Sequence, residues 1–272
     1  MKSAESIVVV GFGWVGQANA LALSIQGFSV SYYDPAEPPH HHERYKDTYA
    51  KLKKLASARD GDSAQTVFVI CVGDRVHEDG VQDISLIKKA LDDLQGVKGT
   101  VVLRSTILPD TLASLPFDYY VPEFLHEKTA VEECLAPYLF VVGSRDKKPE
   151  PGFFAVWEKL AYKIFRGTPE EASHIKYLSN LWNSVRIAFI NEFGDAMALP
   201  TDREKLASIE RVINFLFDRK NYMRYGRSFG GHCLPKDTRA FARWYRDKGK
   251  SVQLISGAYE SNTAHQEVEK KY

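Results

Sequence analysis

The nonapeptide GGHCLPKDT, residues 230–238, gathers several side chains that could do chemistry near the end of the chain. Two glycines free the backbone, and Cys233 follows His232, with Lys236 and Asp237 three and four residues further on. A cysteine in this setting is a buried structural residue, a metal ligand or a nucleophile. A nearby cation such as Lys236 or His232 favours the thiolate, which is the reactive form of the side chain. These residues alone leave the three roles open.

The three cysteines of the chain are widely spaced and odd in number. They are Cys71, Cys134 and Cys233, and no CxxC pattern occurs. This spacing argues against a disulfide framework and against a zinc site. It favours a reducing, cytoplasmic setting in which Cys71 and Cys134 are structural.

A second set of polar side chains recurs along one predicted helix. The helix begins with a capping signature, in which Thr168 is the N-cap, Pro169 the first helical residue and Glu171 the third. It is predicted to run to about Leu199 and, being largely apolar, to be buried on several sides.

Within this helix, Lys176, Asn180 and Asn191 are separated by 4 and 11 residues and therefore share one face. Burial of an unpaired lysine or amide costs on the order of a few kcal/mol. The stripe therefore pairs with internal acids or faces a polar cavity. A structural network and an active-site wall are equally compatible with the pattern.

The elements that position these residues begin with a dinucleotide-binding pattern. A short apolar run, residues 6–10, leads into GFGWVG, a predicted helix follows, and a second predicted strand ends in Asp34. Glycines in GxGxxG spacing permit a tight turn, let the backbone approach a diphosphate and allow the helix to pack closely on the strand. The carboxylate of Asp34 can bind the ribose hydroxyls. The pattern predicts NAD rather than NADP, and the alternative is a glycine turn in another βα unit. The predicted contacts are Gly11, Phe12, Gly13, Trp14, Val15, Gly16 and Asp34.

Further predicted strands, at 66–72, 99–105, 118–122 and 138–143, alternate with helical stretches. This order predicts an α/β fold with a Rossmann-type doubly wound parallel sheet, followed by the long central helix and a small helical domain. We place the NAD-binding domain at 1–168 and the helical domain, carrying the cysteine loop, at 169–272. Ligands of such sheets bind beyond the carboxyl ends of the strands. The residues expected there are Val72, Gly73, Ser105, Thr106 and Glu123.

The bulk composition excludes several classes of protein. The chain has 272 residues, 44% of them hydrophobic, and 36 basic against 35 acidic side chains. Near neutrality gives no reason to expect binding to nucleic acid or to a membrane surface. No signal peptide or membrane-spanning stretch is expected. The triplet His40–His42 lies in a proline-rich segment, which predicts a solvated loop without a metal site.

Four motifs, in order, resemble those of the UDP-glucose / GDP-mannose 6-dehydrogenases. They are GFGWVG with Asp34, VPEFLHE at 121–127, IKYLSNLWNSVRIAFINEF at 175–193 and FGGHCLPKDT at 229–238. The resemblance covers the chain to about Asn262. It implies NAD-dependent oxidation of a nucleotide-linked sugar from alcohol to acid, with a UDP-sugar favoured, and a homodimer built on the central helix.

The resemblance also implies roles for individual residues. Cys233 matches the nucleophile, which would pass through a thiohemiacetal and a thioester. Lys176 and Asn180 match the pair that stabilises oxyanions, and Lys236 matches a residue close to the cofactor. The groups that would order water and handle protons are Thr106, Glu123, Glu127 and Asp237. The implied substrate contacts are Phe124, Leu125, Lys176, Asn180, Arg219, Tyr225, Arg227, Phe229 and Gly230.

Departures from the family pattern leave other functions open. CVGDRV replaces a usual Thr-Pro after the third strand, and the sequence ends at Tyr272, where a third, nucleotide-binding domain is expected in the family. The alternatives are a dehydrogenase of a smaller alcohol and a non-catalytic dimerising relative. The basic loop around Arg227 is expected to bind substrate phosphates, with a solvated loop as the alternative.

Overall fold

The structure is a computed structural model that describes residues 5–145, 148–197, 203–217 and 224–270. The chain divides into two compact units, one formed by Met1–Asp74 and Ile84–Lys176 and the other by Arg75–Asp83 and Tyr177–Tyr272. The first carries the large sheet and the second is mainly helical. The predicted domain boundary at residue 168 stays a prediction. No described helix is long and apolar enough to cross a membrane.

The first unit is built on an eight-stranded sheet in the order β10-β9-β8-β7-β4-β1-β2-β3. Strands β5 and β6 form a separate antiparallel hairpin in the second unit. The strands are Ser6–Val10 (β1), Ser29–Tyr33 (β2), Lys53–Lys54 (β3), Thr66–Ile70 (β4), Arg75–Val76 (β5), Gln82–Asp83 (β6), Thr100–Leu103 (β7), Tyr119–Tyr120 (β8), Leu139–Ser144 (β9) and Lys163–Gly167 (β10).

Burial explains why the central strands form. Nearly every residue of β1, β4 and β7 is buried, as expected for parallel strands covered on both faces. The register aligns Val10 with Tyr33 on one side and with Ile70 on the other, and Ile70 with Leu103. The carboxyl ends of four strands therefore lie at one edge of the sheet.

The predicted Rossmann-type fold is confirmed, with one departure from an all-parallel sheet. Strand β9 runs antiparallel to β8, with Tyr119 opposite Ser144. An antiparallel neighbour can be joined at one edge of the sheet without a crossover connection. The strands β3 and β10, like the β5–β6 hairpin, were not predicted, because short strands with charged residues lack a hydrophobic pattern.

The helices include the long predicted one. They are Trp14–Ile25 (α1), Lys46–Tyr49 (α2), Ser85–Asp92 (α3), Pro109–Leu112 (α4), Ala130–Leu135 (α5), Gly152–Leu160 (α6), Pro169–Met197 (α7), Arg203–Leu216 (α8), Cys233–Asp247 (α9) and Gln253–Glu269 (α10). At the start of α7, the Thr168 amide donates to Glu171 Oε2 (2.8 Å), and the Glu171 amide donates to Thr168 Oγ1 (3.2 Å). The predicted capping box is therefore confirmed.

The prediction that α7 is buried on several sides is wrong for the single chain. Leu178, Trp182 and Phe189 are 69%, 57% and 57% exposed. Phe193 and Met197 are also exposed, and the spacings of 4, 7, 4 and 4 residues place all five on one face. The buried face contributes Ile187 and Ile190 to the small cores of the helical unit, so α7 is an amphipathic helix with an uncovered apolar face.

Candidate active site

The turn after β1 has the geometry of a dinucleotide cradle. Gly11 has φ of +85°, which favours glycine, and a Cβ on Gly16 would lie 1.9 Å from the Gly11 carbonyl oxygen. A Cβ on Gly13 would meet no atom within 4 Å, so the missing side chain leaves open space at the start of α1. Amides at a helix N-terminus bind anions, and these residues therefore fit a dinucleotide diphosphate.

Asp34 lies directly after β2 and is tied to this turn. Its Oδ2 accepts a hydrogen bond from the Phe12 amide (2.7 Å), and its Oδ1 accepts one from the Ala36 amide (2.8 Å). A carboxylate has about four acceptor positions, so both oxygens can accept further bonds from ribose hydroxyls. The carboxylate is thus oriented beside the glycine turn.

The ends of β4 and β7 supply the neighbouring residues. The Ser105 hydroxyl donates to the Val72 carbonyl oxygen (2.6 Å), which links the two loops. Thr106 is buried, whereas Gly73 is exposed and a Cβ on it would meet no atom within 4 Å. These predicted cofactor residues therefore lie at one sheet edge with the glycine turn, as the strand register requires.

Lys176 and Glu123 form a buried ion pair in the first unit. The Lys176 ammonium donates to Glu123 Oε1 at 3.1 Å, and the side chains are 3% and 8% exposed. Burial alone would raise the pKa of Glu123, but the Lys176 charge and the Leu125 amide hold it below its usual value. The ionised form of Glu123 is therefore favoured, and of the two alternatives for the stripe, Lys176 follows the first, pairing with an internal acid.

The residues that follow Glu123 divide between core and surface. Lys176 Nζ lies 5.3 Å from the centroid of the Phe124 ring, and the Leu125 amide donates to Glu123 Oε2 (2.7 Å). The Phe124 and Leu125 side chains are partly buried against two different core clusters. Glu127 is exposed at the start of a 3-10 turn, Glu127–Thr129.

Cys233 is the first residue of α9 and is partly buried. None of the three cysteines forms a disulfide bond, and no described group of three or more His, Cys, Asp or Glu residues is arranged to hold a metal ion. The positive end of the helix dipole favours a thiolate at this position. Cys71 and Cys134 differ, because burial raises the pKa of each thiol to about 12.

Asp237 holds two other predicted residues in the helical unit. Its side chain is fully buried, with Oδ1 accepting from Lys236 Nζ (2.7 Å) and Oδ2 from Asn180 Nδ2 (2.6 Å). One turn along α7 the Ser184 hydroxyl is 2.9 Å from that of Thr238. Lysine, amide and carboxylate therefore form one compensated buried cluster, the arrangement that buried charge requires.

The described part of the basic loop is held by side chains of α7. Arg227 is exposed, while its carbonyl oxygen accepts from Asn191 Nδ2 (2.7 Å). The Tyr225 hydroxyl donates to Asp195 Oδ1 (2.8 Å), so this ring is pinned to α7. Phe229 is buried in a core cluster and Gly230 is exposed. The predicted contact Arg219 lies outside the described residues.

Sequence reasoning missed the part of α10 that holds this loop. Asn262 is buried, accepts from the Phe229 amide (2.6 Å) and donates to the Phe229 carbonyl oxygen (3.0 Å). His265, also buried, lies 2.8 Å from Asp195 Oδ2. The signal was available, because Ala258, Asn262 and His265 recur at spacings of 4 and 3 on one helix face.

The prediction that His40–His42 form a solvated loop is wrong. His42 is buried and its Nε2 is 3.0 Å from the Trp14 carbonyl oxygen. His41 is partly buried and stacks on the Trp14 ring. The segment has no regular secondary structure, but Gln17 and the aromatic ring of Trp14 bind it to the surface of α1.

Comparison with known proteins agrees with this geometry. Residues 170–264 match the model of the UDP-glucose/GDP-mannose dehydrogenase family, central domain. GDP-mannose 6-dehydrogenase of Pseudomonas aeruginosa is 31% identical over 299 residues, covering 94% of this chain and 68% of that protein. UDP-glucose 6-dehydrogenase of Rickettsia felis is 26% identical over 94% of this chain and 64% of its own length. The structure of a UDP-glucose dehydrogenase from Pyrobaculum islandicum, 26% identical, superposes with a TM-score of 0.80 over 96% of this chain and 68% of that one.

These matches place the long helix and the helical unit, as well as the Rossmann-type sheet, within one enzyme class, the nucleotide-sugar dehydrogenases. The chain belongs to the UDP-glucose/GDP-mannose dehydrogenase family.

Proposed function

We propose that the chain catalyses the NAD-dependent oxidation of the primary alcohol of a nucleotide-linked sugar to the carboxylate, with Cys233 as nucleophile. The observation that carries the proposal is the pairing of the buried polar residues of α7, Lys176 with Glu123 and Asn180 with Asp237. Buried charges are costly to desolvate, and apolar side chains would pack this helix face at lower cost, which favours a functional role for the face. The membership of the family supports the same reaction.

NAD, when bound, supplies a hydride acceptor, and the reaction consumes two NAD molecules in turn, one for each oxidation. In the first oxidation the alcohol loses a hydride to NAD and its hydroxyl proton to water, which leaves the aldehyde. Between the two, the Cys233 thiolate adds to the aldehyde carbon, and the carbonyl oxygen becomes the alkoxide of a thiohemiacetal. Loss of the second hydride leaves a thioester on Cys233. Water then attacks the thioester carbonyl, releasing the sugar acid and the thiol.

Lys176 and Asn180 are the donors that we assign to the developing oxyanions. Both side chains are buried, and donors held in a dry environment stabilise charge without reorganisation. Glu123 and Asp237 are hydrogen-bond acceptors suited to orienting water, and we assign Thr106 and Glu127 to the same task. We assign Lys236, which donates to Asp237, to the cofactor side of the reaction.

For the substrate, we propose that the loop preceding Cys233 binds the phosphates of the nucleotide. Arg227 is exposed, and its guanidinium suits phosphate oxygens. A charge-assisted phosphate contact is worth roughly 1.5–3 kcal/mol, so Arg227→Ala should raise KM by about ten- to a hundredfold. The change in kcat should be smaller, because this contact is present in both ground and transition states. Lys250→Ala, an exposed lysine outside the loop, is the control.

The test is a panel of UDP-, GDP- and TDP-sugars, scored by NADH formation and by identification of the sugar acid. Oxidation of one nucleotide-linked sugar, with little activity on the free sugar, supports the proposal. Equal activity with and without the nucleotide would favour a dehydrogenase of a smaller alcohol. Binding of dinucleotide without turnover of any sugar or alcohol would favour a non-catalytic relative.

A further inference from the structure

The segment of residues 38–42 is attached to the turn that forms the dinucleotide cradle. The Gln17 side chain donates to the Phe12 carbonyl oxygen (2.9 Å) and to the Pro39 carbonyl oxygen (2.8 Å). Its Oε1 accepts from the His41 amide (2.9 Å). The amide nitrogen of this buried glutamine thus links the glycine turn to the segment, and its amide oxygen binds the segment a second time.

Two of the histidines contact the residue that opens α1. His42 Nε2 is 3.0 Å from the Trp14 carbonyl oxygen. The His41 ring lies against the Trp14 ring, with 4.5 Å between the centroids and 18° between the planes. Trp14 follows Gly13 directly and is 41% exposed. Through its stack on Trp14, the His41 imidazole is therefore held close to the first residue of α1.

The scarcity of basic residues in this part of the sequence makes these histidines relevant to the binding of an anion. No lysine or arginine occurs between Lys2 and Arg44, and the first turn of α1 contains no acidic residue. A dinucleotide diphosphate carries two negative charges and is held by backbone amides at such a helix start. Between Lys2 and Arg44, the histidines at 40–42 are the side chains that can become cationic near neutral pH.

We propose that His41 is a proton-coupled contact to the diphosphate of the bound dinucleotide, taking up a proton as the dinucleotide binds. The inference rests on the proposed use of NAD and adds to it a residue outside the glycine motif. The stack on Trp14 fixes the ring without occupying its nitrogen atoms with the indole, so a ring N–H remains available for a phosphate oxygen.

The groups around His41 determine whether NAD binds more or less tightly as the pH falls. Burial, followed by the neighbouring His42 and His40, holds the pKa of His41 below its usual value, while Glu127 acts in the opposite direction. The neutral form of His41 is therefore favoured before the dinucleotide binds. A diphosphate favours the imidazolium and raises the pKa, so binding takes up a proton and becomes tighter as the pH falls through the bound-state pKa.

The experiment is calorimetric titration of the full chain with NAD, at pH 6 and pH 8, in two buffers of different ionisation enthalpy. We expect wild-type protein to take up a fraction of a proton and to bind NAD about fivefold more tightly at pH 6 than at pH 8. His41→Gln should abolish both effects and retain the wild-type affinity at pH 8 within about twofold. His77→Gln, an exposed histidine of the β5–β6 hairpin, should behave as wild type.

Two further ligands test whether the diphosphate is the group that causes the proton uptake. ADP-ribose, which keeps the diphosphate, should reproduce the proton uptake, and adenosine, which lacks it, should not. NAD binding by the wild type without proton uptake, or uptake that His41→Gln leaves intact, overturns the assignment of His41 alone. Failure of the wild type to bind NAD at either pH overturns the proposed cofactor and, with it, this inference.

Discussion

At the scale of single residues, the buried charges of the candidate site are paired with one another. Lys176 is paired with Glu123, and Asp237 accepts from both Lys236 and Asn180. Breaking such a pair leaves one charge buried without a partner, which is strongly destabilising. The residues that we assign to catalysis therefore also contribute to the stability of the fold, and substitutions must be tested for both effects.

Lys176→Met should lower the free energy of unfolding by about 3–5 kcal/mol at pH 7, because it leaves the Glu123 carboxylate buried and unpaired. The loss should shrink as the pH falls towards 4. In the wild type, the lowered pKa of Glu123 contributes stability that is present above the unfolded-state pKa and is lost as the pH falls through the folded-state pKa. The variant lacks this contribution, and its buried carboxyl becomes neutral more readily.

Urea unfolding at pH 7 and pH 4.5 provides the measurement for this pair. Lys98→Met removes an exposed lysine of the same unit and should change stability by less than about 0.5 kcal/mol. A stability loss for Lys176→Met that is equal at both pH values would contradict the assignment of Glu123 as an ionised partner.

Asp34→Ala should reverse part of the cofactor preference. Its carboxylate is hydrogen-bonded to the glycine turn, and in the proposed role it would bind the ribose hydroxyls and repel a 2′-phosphate. We expect NAD affinity to fall by about tenfold, the scale of one charge-assisted contact, and NADP affinity to fall less. Binding titrations with NAD and with NADP give the ratio of the two affinities, and Asp93→Ala, which removes an exposed acid, is the control. If Asp34→Ala leaves this ratio unchanged, Asp34 does not select the cofactor.

At the scale of elements, α10 fixes the loop that precedes the nucleophile. Asn262→Ala leaves the buried Phe229 amide and carbonyl without their partner, at a cost of about 1–3 kcal/mol for each group. Hydrogen exchange of residues 224–230 should rise, and KM for the substrate should rise more than kcat falls. Thr263→Ala, its exposed neighbour on α10, should leave exchange unchanged. If exchange in the loop is the same in both variants, α10 does not hold it.

Local patterns were enough to predict much of this fold and part of the site. Apolar runs predicted the central strands, and the Thr168–Glu171 pattern predicted the start of α7, because both depend on neighbours in sequence. The contact of His42 with Trp14 could not be predicted, since the two residues are 28 positions apart in the chain. The spacing on α10 could have indicated that Asn262 is buried, but not its partner Phe229, which is 33 residues distant.

At the scale of the whole molecule, the uncovered apolar face of α7 indicates association. Exposed patches of this kind mark protein–protein contacts, and two copies of one helix face can pair about a twofold axis. We propose a homodimer through α7, as the sequence predicted. The residues of the face are Leu178, Trp182, Phe189, Phe193 and Met197.

The double substitution Trp182→Glu/Phe189→Glu should convert the protein to a monomer. Each glutamate would have to be desolvated in the interface, which costs several kcal/mol. Light scattering at micromolar concentration gives the mass, and Leu86→Glu, an exposed leucine of α3, should leave it unchanged. A wild-type protein that is monomeric at this concentration would contradict the dimer.

The central claim is that Cys233 carries the sugar as a thioester between two oxidations. The most direct measurement is the number of NADH molecules formed per sugar acid, combined with mass spectrometry of the protein quenched in acid during turnover. We predict two NADH per acid and an acyl group on the peptide containing Cys233. Cys233→Ala should form no sugar acid, because hydrolysis requires the thioester. One NADH per sugar with an aldehyde product, or wild-type acid formation by Cys233→Ala, would contradict the account.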